Sequence, residues 1–531
     1  MSREAKRVKC IPFLRRAFSW LLLVFVGLLL LLNVLITARA WGNNGEDELT
    51  IRLQSPLVVL LSILFIFLCS KLSQKIATTK PKHLLFSYLF FATLLAILFY
   101  AFWNPVLNAD SGDLYGYILD KQKDPLYIQT WPVNLGYLGV MLFSHLVFSD
   151  DIFGLFIINL GAFYLAVISI FQITKILFNK DSILRNFVIL LACFFPIYFE
   201  IIFFYNDMLG MAFAFFGVWQ ALLLRRKNKL INFLLLAVSI VVMLAIRQNT
   251  LIILTAILFF LVFTTKKKNL LYTIASIAIS AIVFFYSPAV LQSLFSKIYG
   301  WDFSDTSKQD PTISWIAMGM LDEADEKLNV EPKQANIAGW WNGYNRSCVI
   351  ELGDKCSEYS SETINRQLRR FISNPARGVS FYFKKIASQW AEPSFQTPFF
   401  MSHCETDNST APRRFLCKAS THTLSFVNNL VHLALLVLSF IAVYSLRKSR
   451  KMTWQKILLL LAVSGYFAFS ILWEAKSRYI LLVFPLLIPF AAYGLELVPN
   501  ITKRIKSKAE RKRWKHRFFT LLYRAITRKL A

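Results

Sequence analysis

The sequence predicts an all-α polytopic membrane protein with about twelve transmembrane helices and a mixed, mainly helical extracytoplasmic insert, and three observations carry that prediction. Of the 531 residues 56% are hydrophobic and 49 are Phe. Many apolar runs reach the roughly 20 residues needed to cross hydrocarbon. The 59 Lys and Arg against 31 Asp and Glu give a net charge of +28, with the excess in short blocks between apolar runs. That placement is the positive-inside signature and excludes the nucleic-acid partner that so basic a chain would otherwise suggest. The third observation is one long polar stretch, 289–423, interrupting the apolar runs.

Spans are expected near 17–37, 56–73, 84–102, 152–178, 185–204, 208–224, 230–246, 250–265, 270–288, 424–446, 455–473 and 480–496. Basic blocks fall after every second span, at Arg3 to Arg16, Lys71 to Lys82, Lys180 to Arg185, Arg225 to Lys229, Lys266 to Lys268, Arg447 to Lys456 and from Lys503 onward, so both termini are expected in the cytoplasm. The apolar stretch Val133–Phe148 cannot be a full crossing without putting basic clusters on both sides, and is expected to lie along the outer surface or re-enter. The first span follows a basic start but lacks a small-residue cleavage site, so it reads as a retained anchor. These features divide the chain into an N-terminal segment with a two-helix hairpin (1–83), a transmembrane core with a first external loop at 103–151 (84–288), the insert (289–423), C-terminal transmembrane helices (424–498) and a basic tail (499–531). In the tail Trp514, Phe518, Leu521, Leu522 and Ile526 recur at helical spacing among basic residues, the pattern of an amphipathic helix on an anionic inner leaflet. The abundance of Lys, Ile and Phe suits an AT-rich bacterium and hence a bacterial plasma membrane.

Three outward segments and one hairpin carry polar residues that an anchor does not need. The first external loop holds Asp110 and Asp113, with Gly112 between them. Two carboxylates three residues apart can hold a divalent cation or take a proton from a hydroxyl, and can equally be a solvated acidic loop. At the outer end of the fifth span, Glu200 sits in an apolar run where an ionised carboxylate costs about 2–4 kcal/mol or more, so it should be paired or face a cavity. Asn206 and Asp207 follow, and either caps the next helix or joins a site. Arg247, Gln248 and Asn249 form an outer turn, and the loop Glu474, Ala475, Lys476, Ser477, Arg478, Tyr479 sits between two late apolar runs. Lys and Arg are normally kept off the outer face, so Arg247, Lys476 and Arg478 either bind a lipid phosphate or pair with Glu200, Asp207 or Glu474.

The insert contains two amphipathic helical patterns, through Ile364, Leu368, Phe371 and Ile372, and through Val379, Tyr382, Phe383, Ile386 and Trp390. Pro375 and Pro393 punctuate them, and Lys384 and Lys385 are expected to point toward headgroups. Trp340, Trp341 and Tyr344 either shape an acceptor site, since aromatic faces pack on sugar rings, or form the insert's own core. Four of the seven cysteines lie here, and outside the cytoplasm Cys348 with Cys356 and Cys404 with Cys417 is the sequence-local choice among three pairings. Cys10, Cys69 and Cys193 read as apolar filler. Neither a close Cys pair nor a His spacing suggests zinc. Asn345 and Asn408 head formal glycosylation sequons, which matter only in a eukaryotic host.

The acidic first loop, the outer Tyr205, Asn206, Asp207, the Arg247, Gln248, Asn249, Thr250 turn and the Glu474–Tyr479 hairpin together resemble the GT-C glycosyltransferases, among them protein O-mannosyltransferases and lipid A aminoarabinose transferases. The resemblance is to short motifs in order, beginning near residue 84. It implies a sugar donor on a polyprenyl-phosphate carrier, an extracytoplasmic lipid, glycan or protein acceptor, and transfer with inversion. It further implies a catalytic carboxylate at Asp110 or Asp113 and phosphate contact by Arg478 and Tyr479, with Arg247 and Lys476 alongside. Family members often have adjacent acidic residues where this chain has Asp110, Ser111, Gly112, Asp113. No cofactor is required beyond a divalent cation, if any, at Asp110 and Asp113. Two other readings stand beside it: a flippase or transporter for lipid-linked sugars, which calls for internal repeats and mid-membrane charges, and a polymerase or ligase using a lipid-diphosphate carrier.

Overall fold

The computed structural model describes residues 3–43, 46–103, 107, 109–120, 122–148, 151–227, 230–330, 338–397 and 411–501. The amphipathic tail, Cys404 and Asn408 lie outside them, as do the side chains of Cys10 and Cys417. Within them the protein is an integral membrane bundle: nine helices are long and apolar enough to cross a membrane. A bent pair, Asp181–Ala192 followed by Pro196–Ile202 at 61°, brings the number to ten if it counts as one span. Pro196 causes the break, because its ring cannot follow a helical carbonyl and its nitrogen has no proton to donate. Two further apolar helices, Leu230–Ile246 and Leu251–Thr264, fall on expected spans but are short, with 17 and 14 residues. Length and composition therefore carry nine or ten of the twelve expected crossings.

Local rules explain the helix ends. Pro56, Pro196 and Pro375 open helices at positions that need no N–H. Asn374 caps the last of these by accepting from the Arg377 amide. The helix Leu270–Tyr299 runs past the expected end of its span and stops at Gly300, whose φ of 73° is left-handed. Val133–Phe148 contains the apolar helix Leu135–Val147.

One element departs from the all-α expectation. Ile36–Asn43 and Glu46–Leu53 pair as an antiparallel β-hairpin, in register from Ile36 opposite Leu53 to Asn43 opposite Glu46. The strands flank Asn44 and Gly45, a two-residue hairpin-turn sequence. One face buries Ile36, Ala38 and Leu49 against Trp340, Ala387, Ala391 and Ala475, and the Ala38 amide donates to the Ala391 carbonyl at 2.7 Å. The N-terminal segment thus reaches the Glu474–Tyr479 hairpin and braces it.

The insert folds around Ala317, Met318, Leu321, Tyr344, Val349 and a disulfide between Cys348 and Cys356. Asp310 ties it to the first external loop. Its carboxylate accepts from Trp131 Nε1 and Asn345 Nδ2, each at 3.0 Å, and from Ser314. Asn345 is fully buried and its amide nitrogen is used here, so it is no glycosylation acceptor.

Candidate functional site

The break at Pro196 sets the site's geometry. The helix ends at Ile202, the chain turns through Phe203, Phe204 and Tyr205, and the next helix starts at Asn206. Asp207 lies in that helix's first turn, where exposed N–H groups favour a carboxylate. Arg247 sits at an extended kink, φ −143° and ψ 97°, between two apolar helices. Gly210 lets it approach, since a Cβ there would lie 2.7 Å from Arg247 Cβ.

Arg247 Nη2 meets Asp207 Oδ1 at 2.8 Å and Nη1 donates to Asn206 Oδ1 at 2.8 Å. Arg478 Nε faces the other Asp207 oxygen at 3.8 Å. Two guanidinium groups from distant parts of the chain thus share one carboxylate. Aromatic faces complete the cage: Arg247 lies over Tyr205 and Tyr479, and Arg478 over Phe203, Tyr205 and Tyr479, all with 5.2–5.7 Å to the ring centres. Burial opposes the charge on Arg478, but Asp207, the tyrosines and Asp110 outweigh it and raise its pKa. Among the described residues Glu200 makes no ion pair; it is buried nearby with both carboxyl oxygens lacking a hydrogen-bond partner, as does Arg247 Nε. Enclosed polar atoms without partners mark room for a ligand or water.

The flanking hairpin is held from below. Glu474 accepts from the Tyr479 hydroxyl at 2.7 Å and pairs with Lys476 at 3.2 Å. Lys476 is therefore paired within its own hairpin. Gln248 is exposed and Asn249 half-buried.

Asp110 reaches this centre and Asp113 does not. Asp110 acts electrostatically on Tyr127, Tyr205 and Arg478. A relay joins the two halves: Tyr205 Oη donates to Asn134 Oδ1 and Asn134 Nδ2 donates to Tyr127 Oη, both at 3.1 Å. Asp113, on the same helix, is half exposed and pairs with Lys123 at 3.6 Å. Among the described residues no cluster of three potential metal ligands occurs at this pair or elsewhere.

Of the two readings of the insert aromatics, burial favours a packing role for Trp340 and Tyr344. Trp340 is buried and donates to Ser388 Oγ at 3.1 Å, and Tyr344 is buried with its hydroxyl on Thr363. Neither ring has a free face, and Trp341 packs against the insert core. The expectation for Lys385 is corrected: it is fully buried and donates to the Gly319 carbonyl. Gly339, with φ 71°, makes room, because a Cβ there would sit 2.9 Å from Lys385 Cε. Burial pulls the Lys385 pKa down to about 7, with Glu474 opposing.

Sequence reasoning missed Tyr127, Asn134, Glu392 and Gln396. Glu392 is buried and accepts from the Ser394 amide at 2.9 Å, the Gln396 amide at 2.8 Å and Ser477 Oγ at 2.8 Å. Burial still raises its carboxyl above the ordinary range. Gln396 Oε1 in turn accepts from the Arg478 amide at 3.4 Å. Phe395 and Gln396 are both left-handed, φ 52° and 58°, a strained pair that the surrounding bonds hold in place. Only Asn134, a lone amide in an apolar run, left a trace in the sequence.

Residues 141–333 match the family Glucosyl transferase GtrII. That stretch is similar to a glycosyltransferase. The match covers less than half of the chain; it takes in Glu200, Asn206, Asp207, Arg247, Gln248 and Asn249 and leaves Asp110 and the Glu474–Tyr479 hairpin outside. No curated protein and no solved structure matches the chain. The glucosyltransferase similarity and the apolar helices together support a membrane glycosyltransferase.

Proposed function

We propose that the protein transfers a sugar from a polyprenyl-phosphate carrier to an acceptor at the outer face of a bacterial plasma membrane, with inversion. The observation that carries this reading is the meeting of Arg247 and Arg478 at the single carboxylate of Asp207, within the field of Asp110. Guanidinium pairs match phosphate oxygens and stay charged when desolvated. In the proposed step Asp110 takes the proton of an acceptor hydroxyl, the acceptor oxygen bonds to the anomeric carbon, and the bond from that carbon to the carrier phosphate breaks. Arg478 and Arg247 stabilise the charge that the departing polyprenyl phosphate gains. The Asn134 relay fixes Tyr127 and Tyr205 within the field of Asp110, while the Glu392 loop and the β-hairpin fix Arg478. The name of the matched family makes glucose the first sugar to try.

The test is transfer in proteoliposomes from radiolabelled polyprenyl-phosphate glucose to a crude envelope fraction. Wild type should label the acceptor, and Asp110→Asn and Arg478→Ala should not. Label that crosses the bilayer without reaching any acceptor would replace this reading with a transporter.

A further inference from the structure

At the opposite end of the bundle, among the basic loops, lies a cavity of about 310 Å³ that shares no residue with the site above. Its walls include Ser73 and Gln74 from the end of Pro56–Lys75, Ser182, Arg185 and Asn186 from the start of Asp181–Ala192, and Glu496 near the end of the last helix. Three buried polar atoms on these side chains have no hydrogen-bond partner: Ser182 Oγ, Arg185 Nε and Asn186 Oδ1. The remaining groups of two of these side chains are spent on the fold. Asn186 Nδ2 donates to the Ala492 carbonyl at 3.1 Å and Arg185 Nη1 to the Thr79 carbonyl at 3.3 Å. Asn186 is 1% exposed, so its free oxygen cannot turn to bulk solvent. Each such orphan costs about 1–3 kcal/mol, so three on the residues around one cavity call for a complementary partner.

That partner's chemistry follows from the atoms. Arg185 Nε and Ser182 Oγ need an acceptor, and the cation favours an anionic one. Asn186 Oδ1 needs a donor, and Glu496, which pairs with Lys180, adds negative charge on the same side. The positive-inside rule places this end of the helices at the level of inner-leaflet headgroups. We propose that the cavity binds an amine-bearing phospholipid headgroup, its phosphate on Arg185 and Ser182 and its ammonium on Asn186 and Glu496.

The test uses the full chain in nanodiscs of phosphatidylcholine doped with phosphatidylethanolamine, with retained lipid weighed by native mass spectrometry. Both lipids carry a phosphate, and only the second carries N–H donors. The expected result is retention of phosphatidylethanolamine over phosphatidylcholine by about tenfold, the loss of one charge-assisted hydrogen bond. Glu496→Gln and Asn186→Leu should erase the preference, and Arg185→Gln should weaken retention of both lipids. Glu496 lies at the rim, so its variant keeps the test alive if the buried Asn186 variant does not fold. Equal retention of the two lipids, or unchanged retention in every variant, would overturn the proposal in favour of a water-filled cavity. Displacement of the lipid by inorganic phosphate alone would overturn it in favour of a free-anion site.

Discussion

Replacing Asp207 by Asn separates a phosphate site from a structural ion cluster. Asp207 and Arg247 touch at 2.8 Å with about a tenth of each side chain exposed, and Arg478 approaches the same carboxylate at 3.8 Å. Breaking a buried pair costs about 3–5 kcal/mol. Asn keeps the shape and one acceptor, so a loss of about 2–3 kcal/mol is expected here. The variant leaves two guanidinium groups without their shared anion. A phosphate bridging them would sit roughly 5–7 Å from the lost charge, a repulsion of about 2–3 kcal/mol at an effective dielectric of 20. Discounted for residual solvent, its removal should tighten polyprenyl-phosphate binding by at least about tenfold. At about 100 times its Kd the lipid should then return about 2.7 kcal/mol of stability. The assay is thermal unfolding of purified wild type and variant in detergent across a polyprenyl-phosphate titration. A variant that is destabilised but not rescued, or that binds the lipid more weakly than wild type, would refute the phosphate role of the two arginines.

Three further outcomes follow from the surroundings. Glu392→Gln should raise the KM for donor while leaving kcat within a few-fold, because the carboxylate orients Ser477 and the Arg478 loop rather than touching substrate; an unchanged KM in a folded variant would contradict it. Lys385 has a folded pKa of about 7 against an ordinary 10.5, so the unfolded chain binds more protons between those values and stability should rise with pH across that window, by at most about 1.4 kcal/mol per pH unit. Below about pH 7 the contribution is lost, and Lys385→Met should flatten the slope in thermal unfolding; a slope that survives the substitution would assign it elsewhere. Gly210→Ala should push Arg247 away from Asp207 and cut transfer at least about tenfold with the protein still folded, whereas normal activity would show that the close approach is dispensable.

The bundle was legible because apolar runs and basic blocks are long-range statistical signals that survive local irregularity. The stretch 185–204 was legible as an apolar span, but its break was not read, although Pro196 marks it. The β-hairpin was not read, although Asn44 and Gly45 announce a turn, because a short outward stretch between two spans looks like a loop until its face is known to be covered. Arg247 and Arg478 could be singled out as basic residues in turns expected to face outward, and Asp110 and Asp207 as carboxylates in the same outward segments, but whether Asp207 caps a helix or pairs with arginine depends on where residue 478 returns. Lys385 shows the limit of amphipathic patterning. Its position on the helix suits a headgroup-facing cation, yet the helix packs with that face against Gly319 and Gly339. Glu392 acts only through a strained turn whose conformation no residue type at 395 or 396 foretells.

The central claim is that Arg478 holds the carrier phosphate while Asp110 acts on the acceptor. The direct measurement is the binding of polyprenyl phosphate to purified wild type, Arg478→Ala and Asp110→Asn. The account predicts affinity lowered at least about tenfold in Arg478→Ala and close to wild type in Asp110→Asn. Equal affinity in wild type and Arg478→Ala would contradict it.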